Sequence, residues 1–200
     1  MKQVFAALLL VFGFNLEAQA SPEIGKIAPS FSGKTSAGET ISLNALKGKK
    51  VVLEWTNHDC PFVVKHYTSG NMQRTQSTLR NDDYVWIQVI SSAPGKQGHV
   101  SPAKADELNQ QRGAYVDHVL LDPEGTAGHA YGAKTTPHMY IIDGEQVLQY
   151  MGAIDSIRSA RISDIERATN YVLAAHEALE SGQPVAETST RAYGCTIKYK

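Results

Sequence analysis

Cys60 and Cys195 are the only two thiols in this chain of 200 residues. Cys60 ends the segment Val51-Val52-Leu53-Glu54-Trp55-Thr56-Asn57-His58-Asp59 and is followed by Pro61, which opens a long amphipathic stretch. A strand therefore runs into a cysteine at a helix start. Unpaired backbone N–H groups and the positive end of the helix dipole favour a thiolate there, so the pattern predicts a lowered pKa and a prepared sulfur nucleophile. Asp59 opposes that effect with its negative charge. His58 either offsets the charge and shuttles protons or is an exposed loop histidine. Cys195 lies in the last stretch of sequence, and the count alone fits one bridge or two free thiols.

Cys60 with His58, His66 or His138 has the donor types for a soft metal. The other histidines, including His99, His118, His129 and His176, have no ligand spacing. No metal and no cofactor is expected. Lys65 and His66 fall a turn or more inside the helix, where such residues commonly form a solvated face; Tyr67 reads as core.

An apolar content of 42% provides for one domain with a substantial core. A net charge of −1 gives no basic field, so nucleic acid is not an expected partner. The N-terminus carries Lys2, an apolar run from Val4 to Phe14 and Ala18-Gln19-Ala20. That pattern predicts a signal peptide over 1–20, cut after Ala20, and a periplasmic or secreted protein. The run is too short to span a bilayer, and export permits disulfides. The rest divides into a domain over 21–182 and a tail over 183–200 that carries Cys195.

The elements that must position Cys60 follow from pattern. Residues 24–31 read as an entry strand or extended arm, 33–38 as a turn, and Thr40–Leu43 as a short strand. Val51–Trp55 and Tyr84–Ile90 read as buried strands. Pro61 suits the first helical turn, and the helix that follows reaches Leu79 with a kink or break at Ser69-Gly70. Residues 91–102 form a Gly/Pro/Ser loop, Pro102–Arg112 a helix, and His118–Asp122 a third strand. Thr126–Tyr131 is a short helix. Met139–Ile142 and Gln146–Tyr150 flank Asp143-Gly144-Glu145 as a hairpin. A long helix over Ile157–Leu179 closes the domain. Strand–helix alternation followed by a hairpin and a helix predicts an α/β sandwich on a mixed sheet.

Several of these features come together in one order. The strand-to-Cys60-Pro61 junction is followed by Leu121-Asp122-Pro123-Glu124-Gly125, then Ala130-Tyr131-Gly132, then Thr135-Thr136-Pro137 before the hairpin. With Gly25-Lys26-Ile27-Ala28-Pro29-Ser30-Phe31 and Leu46-Lys47-Gly48-Lys49 upstream, the chain resembles the thioredoxin superfamily over about residues 25–180. It is most similar to the redoxin, or peroxiredoxin-like, branch, the alkyl hydroperoxide reductase/thiol-specific antioxidant group. The resemblance implies a thioredoxin-like three-layer α/β sandwich, a central mixed sheet flanked by helices. It also implies a cis Pro137 beside the nucleophilic sulfur, and a Thr136 backbone that pairs with a bound peptide or partner.

The chain departs from the pattern of the superfamily at named positions. Val63 stands where a Cys-x-x-Cys pair would have its second thiol, so a local disulfide is impossible. Val64 breaks the two-cysteine spacing of the copper chaperones. Thr56 lies four residues before Cys60 where typical peroxiredoxins place a Thr three before, and their Arg near the sulfur has no assigned counterpart. A lone nucleophile needs a second thiol to resolve its sulfenic acid, and Cys195 is the one candidate. Its context, Arg191-Ala192-Tyr193-Gly194-Cys195-Thr196-Ile197-Lys198-Tyr199, resembles the C-terminal segment of secreted redoxin-domain proteins. Gly194 lets the backbone approach closely, and the tail can lie over the Cys60 helix start.

The resemblance thus implies a thiol-dependent oxidoreductase that reduces hydroperoxides, with catalytic Cys60, Cys195, Thr136 and Pro137 and supporting Thr56 and His58. Its partners would be a thioredoxin-like thiol electron donor and a peroxide or protein disulfide substrate. The alternatives are thiol–disulfide exchange on proteins, or a non-catalytic binding module with a structural Cys60–Cys195 bridge.

Overall fold

The computed structural model describes residues 22–200; the expected signal peptide lies outside them. Seven strands form one mixed sheet in the order β2-β1-β5-β4-β3-β7-β8. They are β1 (Ser32–Thr35), β2 (Thr40–Ser42), β3 (Lys50–Trp55), β4 (Tyr84–Ile90), β5 (His118–Leu121), β7 (His138–Ile142) and β8 (Leu148–Gly152). Strands β3, β4 and β5 are parallel, and β7 closes antiparallel on β3 with Trp55 opposite His138. A separate two-stranded pair joins β6 (Thr135–Thr136) to β9 (Cys195–Thr196).

Alternation along β3 sorts the core. Val51, Leu53 and Trp55 face one layer with Tyr131, Ala127 and Ala130, whereas Val52 faces the other with Val63, Met72, Leu79 and Val172. The second layer is built by α1 (Pro61–Thr68), α2 (Asn71–Asn81) and α5 (Tyr171–Glu180). Helices α3 (Pro102–Gln111) and α4 (Thr126–Ala130) complete the fold. This is the thioredoxin-like sandwich, with helices flanking a central mixed sheet. No helix among the described residues is long and apolar enough to cross a membrane.

Four elements differ from the sequence reading. The long helix expected over 157–179 begins only at Tyr171. Before it, buried Asp164 accepts hydrogen bonds from Ser159 (2.5 Å), Arg161 and Arg167 within a 3-10 segment, Ile162–Arg167. Short polar side chains there bond locally in place of a continuous α-ladder, and Asn170 caps α5 through Leu173 N. The stretch after Cys60 is two helices, because Gly70 adopts a left-handed φ of 73°. Part of the expected 33–38 turn is strand, since β1 pairs with both β2 and β5. Finally, the hairpin's second strand starts at Leu148, two residues late, with a register shift at Ile141/Ile142.

Candidate active site

Strand β3 delivers Cys60 to the N-cap of α1, and Pro61 takes the first helical position. The connecting loop is pinned at both ends: Thr56 N donates to Val89 O (3.1 Å) and Cys60 N to Asn57 O (3.1 Å). Asn57 Oδ1 also accepts from Asp59 N at 3.0 Å. The Thr136–Pro137 peptide is cis, as the resemblance implies.

Cys60 is fully buried, at 0% exposure. Its Sγ donates to Thr136 O at 3.0 Å and receives Cys195 N–H at 3.4 Å. The carbonyl accepts the proton of the thiol form; the amide favours the anion. Both cysteines are free. Burial, then the hydrogen bond and charge of Cys60, pushes the Cys195 thiol up to about 12. Cys195 is therefore held as the protonated thiol.

The second cysteine reaches this position because the tail forms a strand. Thr136 pairs with Cys195 and Thr135 with Thr196. Gly194, at φ 137°, makes the approach possible: a Cβ there would run into Thr136 O. Tyr193 is 3% exposed; its hydroxyl donates to Asp155 Oδ1, and its ring stands edge-on to Phe62 at 5.6 Å. Beyond Cys195, Ile197 N donates to Lys134 O at 3.0 Å and Ala93 N to Lys198 O at 2.8 Å. Tyr199 donates its hydroxyl to Ala133 O at 2.7 Å and stacks on His129 at 4.1 Å.

Beneath the tail is a polar cluster that sequence reading did not find. Lys65 Nζ lies 2.9 Å from Asp155 Oδ2, and His66 Nε2 lies 3.8 Å from the same oxygen. Lys65 and His66 are buried at 1% and 0% exposure, which corrects the expected solvated face. The reason is Asp155, a buried carboxylate just beyond β8, which compensates the lysine charge. Burial pushes His66 down to about 4, with Asp155 opposing and Lys65 adding to the shift. Asp155 carried no signal in the sequence, because its partners lie on another element and on the tail.

The two supporting residues sit apart from the sulfur's direct partners. Thr56 is buried at 4% exposure, and its Oγ1 has no hydrogen-bond partner among the described residues. His58 Nε2 is paired with Asp59 Oδ1 at 3.2 Å, with the histidine side chain 25% exposed. A cavity of 670 Å³ opens beside the tail between Lys134, Thr135, His138, Arg158, Arg191 and Gly194, but neither cysteine lines it. Among the described residues no cluster of His, Cys, Asp or Glu has the makings of a metal site.

The family model described as the AhpC/TSA family matches residues 24–151. No curated protein matches the chain. Among solved structures, an uncharacterized conserved protein from Geobacillus kaustophilus is similar with a TM-score of 0.73 and 26% identity, over 89% of this chain and 93% of that one. A hypothetical protein from Sinorhizobium meliloti has a TM-score of 0.73 at 21% identity, over 90% of this chain and 97% of that one. A putative thiol:disulfide interchange protein DsbE from Chlorobium tepidum has a TM-score of 0.52 at 21% identity, over 66% of this chain and 85% of that one.

Proposed function

Because the chain belongs to the AhpC/TSA family, we propose that this thiol oxidoreductase reduces hydroperoxides, with Cys60 as the attacking thiol and Cys195 as the resolving one. The observation that carries the reading is the β6–β9 register, which sets Cys195 N 3.4 Å from Cys60 Sγ. The raised Cys195 thiol supports the same division of roles, since only a thiolate is nucleophilic and Cys195 is held as the thiol.

In the first step the Cys60 thiolate attacks the distal peroxide oxygen. An S–O bond forms, the O–O bond breaks, and the alkoxide or hydroxide leaves with a proton as alcohol or water. Cys60 is then a neutral sulfenic acid. Burial still disfavours a free Cys195 thiolate, so Cys195 attacks as it gives up its proton to the departing oxygen. The Cys60–Cys195 bond forms, the S–O bond breaks, and hydroxide leaves as water. A dithiol donor of the thioredoxin-like class then reduces the disulfide and becomes a disulfide itself. In this scheme Thr136 and Pro137 position the sulfur from the β6 side, while Thr56 and His58 support the loop that presents it. The expected leader over residues 1–20 supports a periplasmic or secreted location.

The likeness to the putative thiol:disulfide interchange protein from Chlorobium tepidum supports a second reading, exchange with protein disulfides through the same Cys60. A peroxide-consumption assay with a dithiol donor separates the two. The proposed activity requires turnover by the native chain, none by Cys60→Ser, and a single turnover by Cys195→Ser. Equal, negligible consumption by the native chain and Cys60→Ser would overturn it.

A further inference from the structure

An unpaired strand edge is a template on which another chain can dock by backbone hydrogen bonds. Strand β6 offers such an edge beside the Cys60 sulfur, which it borders through Thr136 O, but here the edge is already filled. Its strand partner is the chain's own tail. The fit is close: Gly194 sits where any Cβ would collide with Thr136 O. The tail thus occupies the place that an extended polypeptide needs in order to bring a disulfide to Cys60.

The tail is held unevenly along its length. The two pairs at Cys195 and Thr196 are short and partly exposed. The segments on either side are anchored in the protein. Upstream, Tyr193 reaches Asp155, and Thr190 Oγ1 accepts from Ala153 N at 2.9 Å. Downstream, Ile197 is 5% exposed in the core, and the Tyr199 ring lies against Gly128, where a Cβ would overlap it. Opening two residues is a local fluctuation, whereas lifting both anchors is a larger, rarer one.

We propose that residues 189–200 are a self-bound strand that reserves the Cys60 site for small oxidants. A hydroperoxide reaches the sulfur through local opening at Cys195–Thr196. A polypeptide disulfide is kept out until the whole tail is displaced. This inference rests on Cys60 being the reacting thiol.

The test uses the full chain carrying Cys195→Ser, so that Cys60 is the only thiol. Two probes share one chemistry and differ in size: thionitrobenzoate mixed disulfides of 2-mercaptoethanol and of an extended cysteine peptide. In each, Cys60 thiolate attacks the aliphatic sulfur, a new S–S bond forms, the old one breaks, and the coloured thionitrobenzoate anion leaves. With the tail seated, the peptide reacts far more slowly than the small probe. Adding Tyr193→Phe keeps the ring and removes one hydrogen bond to a charged group. It raises the peptide-to-small rate ratio about tenfold to a hundredfold. Gly194→Val, which drives a side chain into Thr136 O, raises it further; Tyr193→Phe is the conservative variant should that chain fail to fold. A peptide that reacts as fast as the small probe with the tail seated, or a ratio unmoved by Tyr193→Phe, would overturn the proposal. A Cys60 inert to both probes in every folded chain is a different failure, that of the functional reading itself.

Discussion

Glu54 and Asp155 are both buried carboxylates on the α1 side of the sheet, at 0% and 2% exposure. Glu54 is enclosed by neutral donors from the domain itself: Tyr67 Oη at 2.9 Å, Trp86 Nε1 at 2.9 Å and Gln76 Nε2 at 3.1 Å. Burial, then the charge of Glu54, raises the Tyr67 hydroxyl well above its ordinary range, so it stays a donor. Asp155 is held instead by Lys65 and by Tyr193 of the tail. The first cluster ties β3, α1, α2 and β4 together and contains no part that can leave. The second includes a segment whose removal would take a hydrogen bond from Asp155 and leave the carboxylate to Lys65. One is a brace within the fold; the other joins the fold to the strand that covers Cys60.

Substitutions should separate the brace from the latch. Glu54→Leu leaves several buried donors unpaired and is expected to lower global stability by about 3–5 kcal/mol in urea unfolding. A loss below about 1 kcal/mol would show that the cluster relaxes or hydrates.

Acid acts on the latch side. Burial pushes both His66 and His138 down to about 4 from 6.5. Between those values the unfolded chain takes up protons that the folded chain refuses. Stability is thus fully present above pH 6.5 and falls toward pH 4, by up to about 1.4 kcal/mol per pH unit for each histidine. Urea midpoints across that range check the slope, and His66→Asn should flatten it by one histidine's share.

Tyr193→Phe is expected to cost about 1.5–3 kcal/mol. Its stronger signature is local: the Ile197 amide, which donates to Lys134 O, should exchange its hydrogen about tenfold faster while core amides of β3 hardly change. Uniform acceleration throughout the chain would erase the distinction between brace and latch. Thr56→Val should have the smallest effect, less than about 1 kcal/mol by the same unfolding measurement, because the hydroxyl it removes has no partner.

The parts legible in sequence were those governed by local pattern. The compact apolar run of Val51 to Trp55, the Cys60-Pro61 helix start and the Thr136-Pro137 approach to β7 were all readable, because each is set by neighbours in the chain. Gly194 was readable too, as a residue permitting close approach. The early helix over 157–170 failed because apolar spacing there was outweighed by Ser159 and Asp164 bonding their own loop. The burial of Lys65 and His66 was invisible for another reason. A charged residue is buried only where a distant partner compensates it, and Asp155 is about 90 residues further on. The β6–β9 pair, likewise, depends on a distant contact, with Thr136 and Cys195 separated by 59 residues.

The most direct test of the account is a map of the thiols after one equivalent of hydrogen peroxide is added to the reduced native chain. The account expects both thiols to disappear together and one intramolecular Cys60–Cys195 peptide link to replace them, reversible by a dithiol. Cys60 left reduced, Cys60 carried on to the sulfinic acid beside a free Cys195, or links only between chains would contradict it.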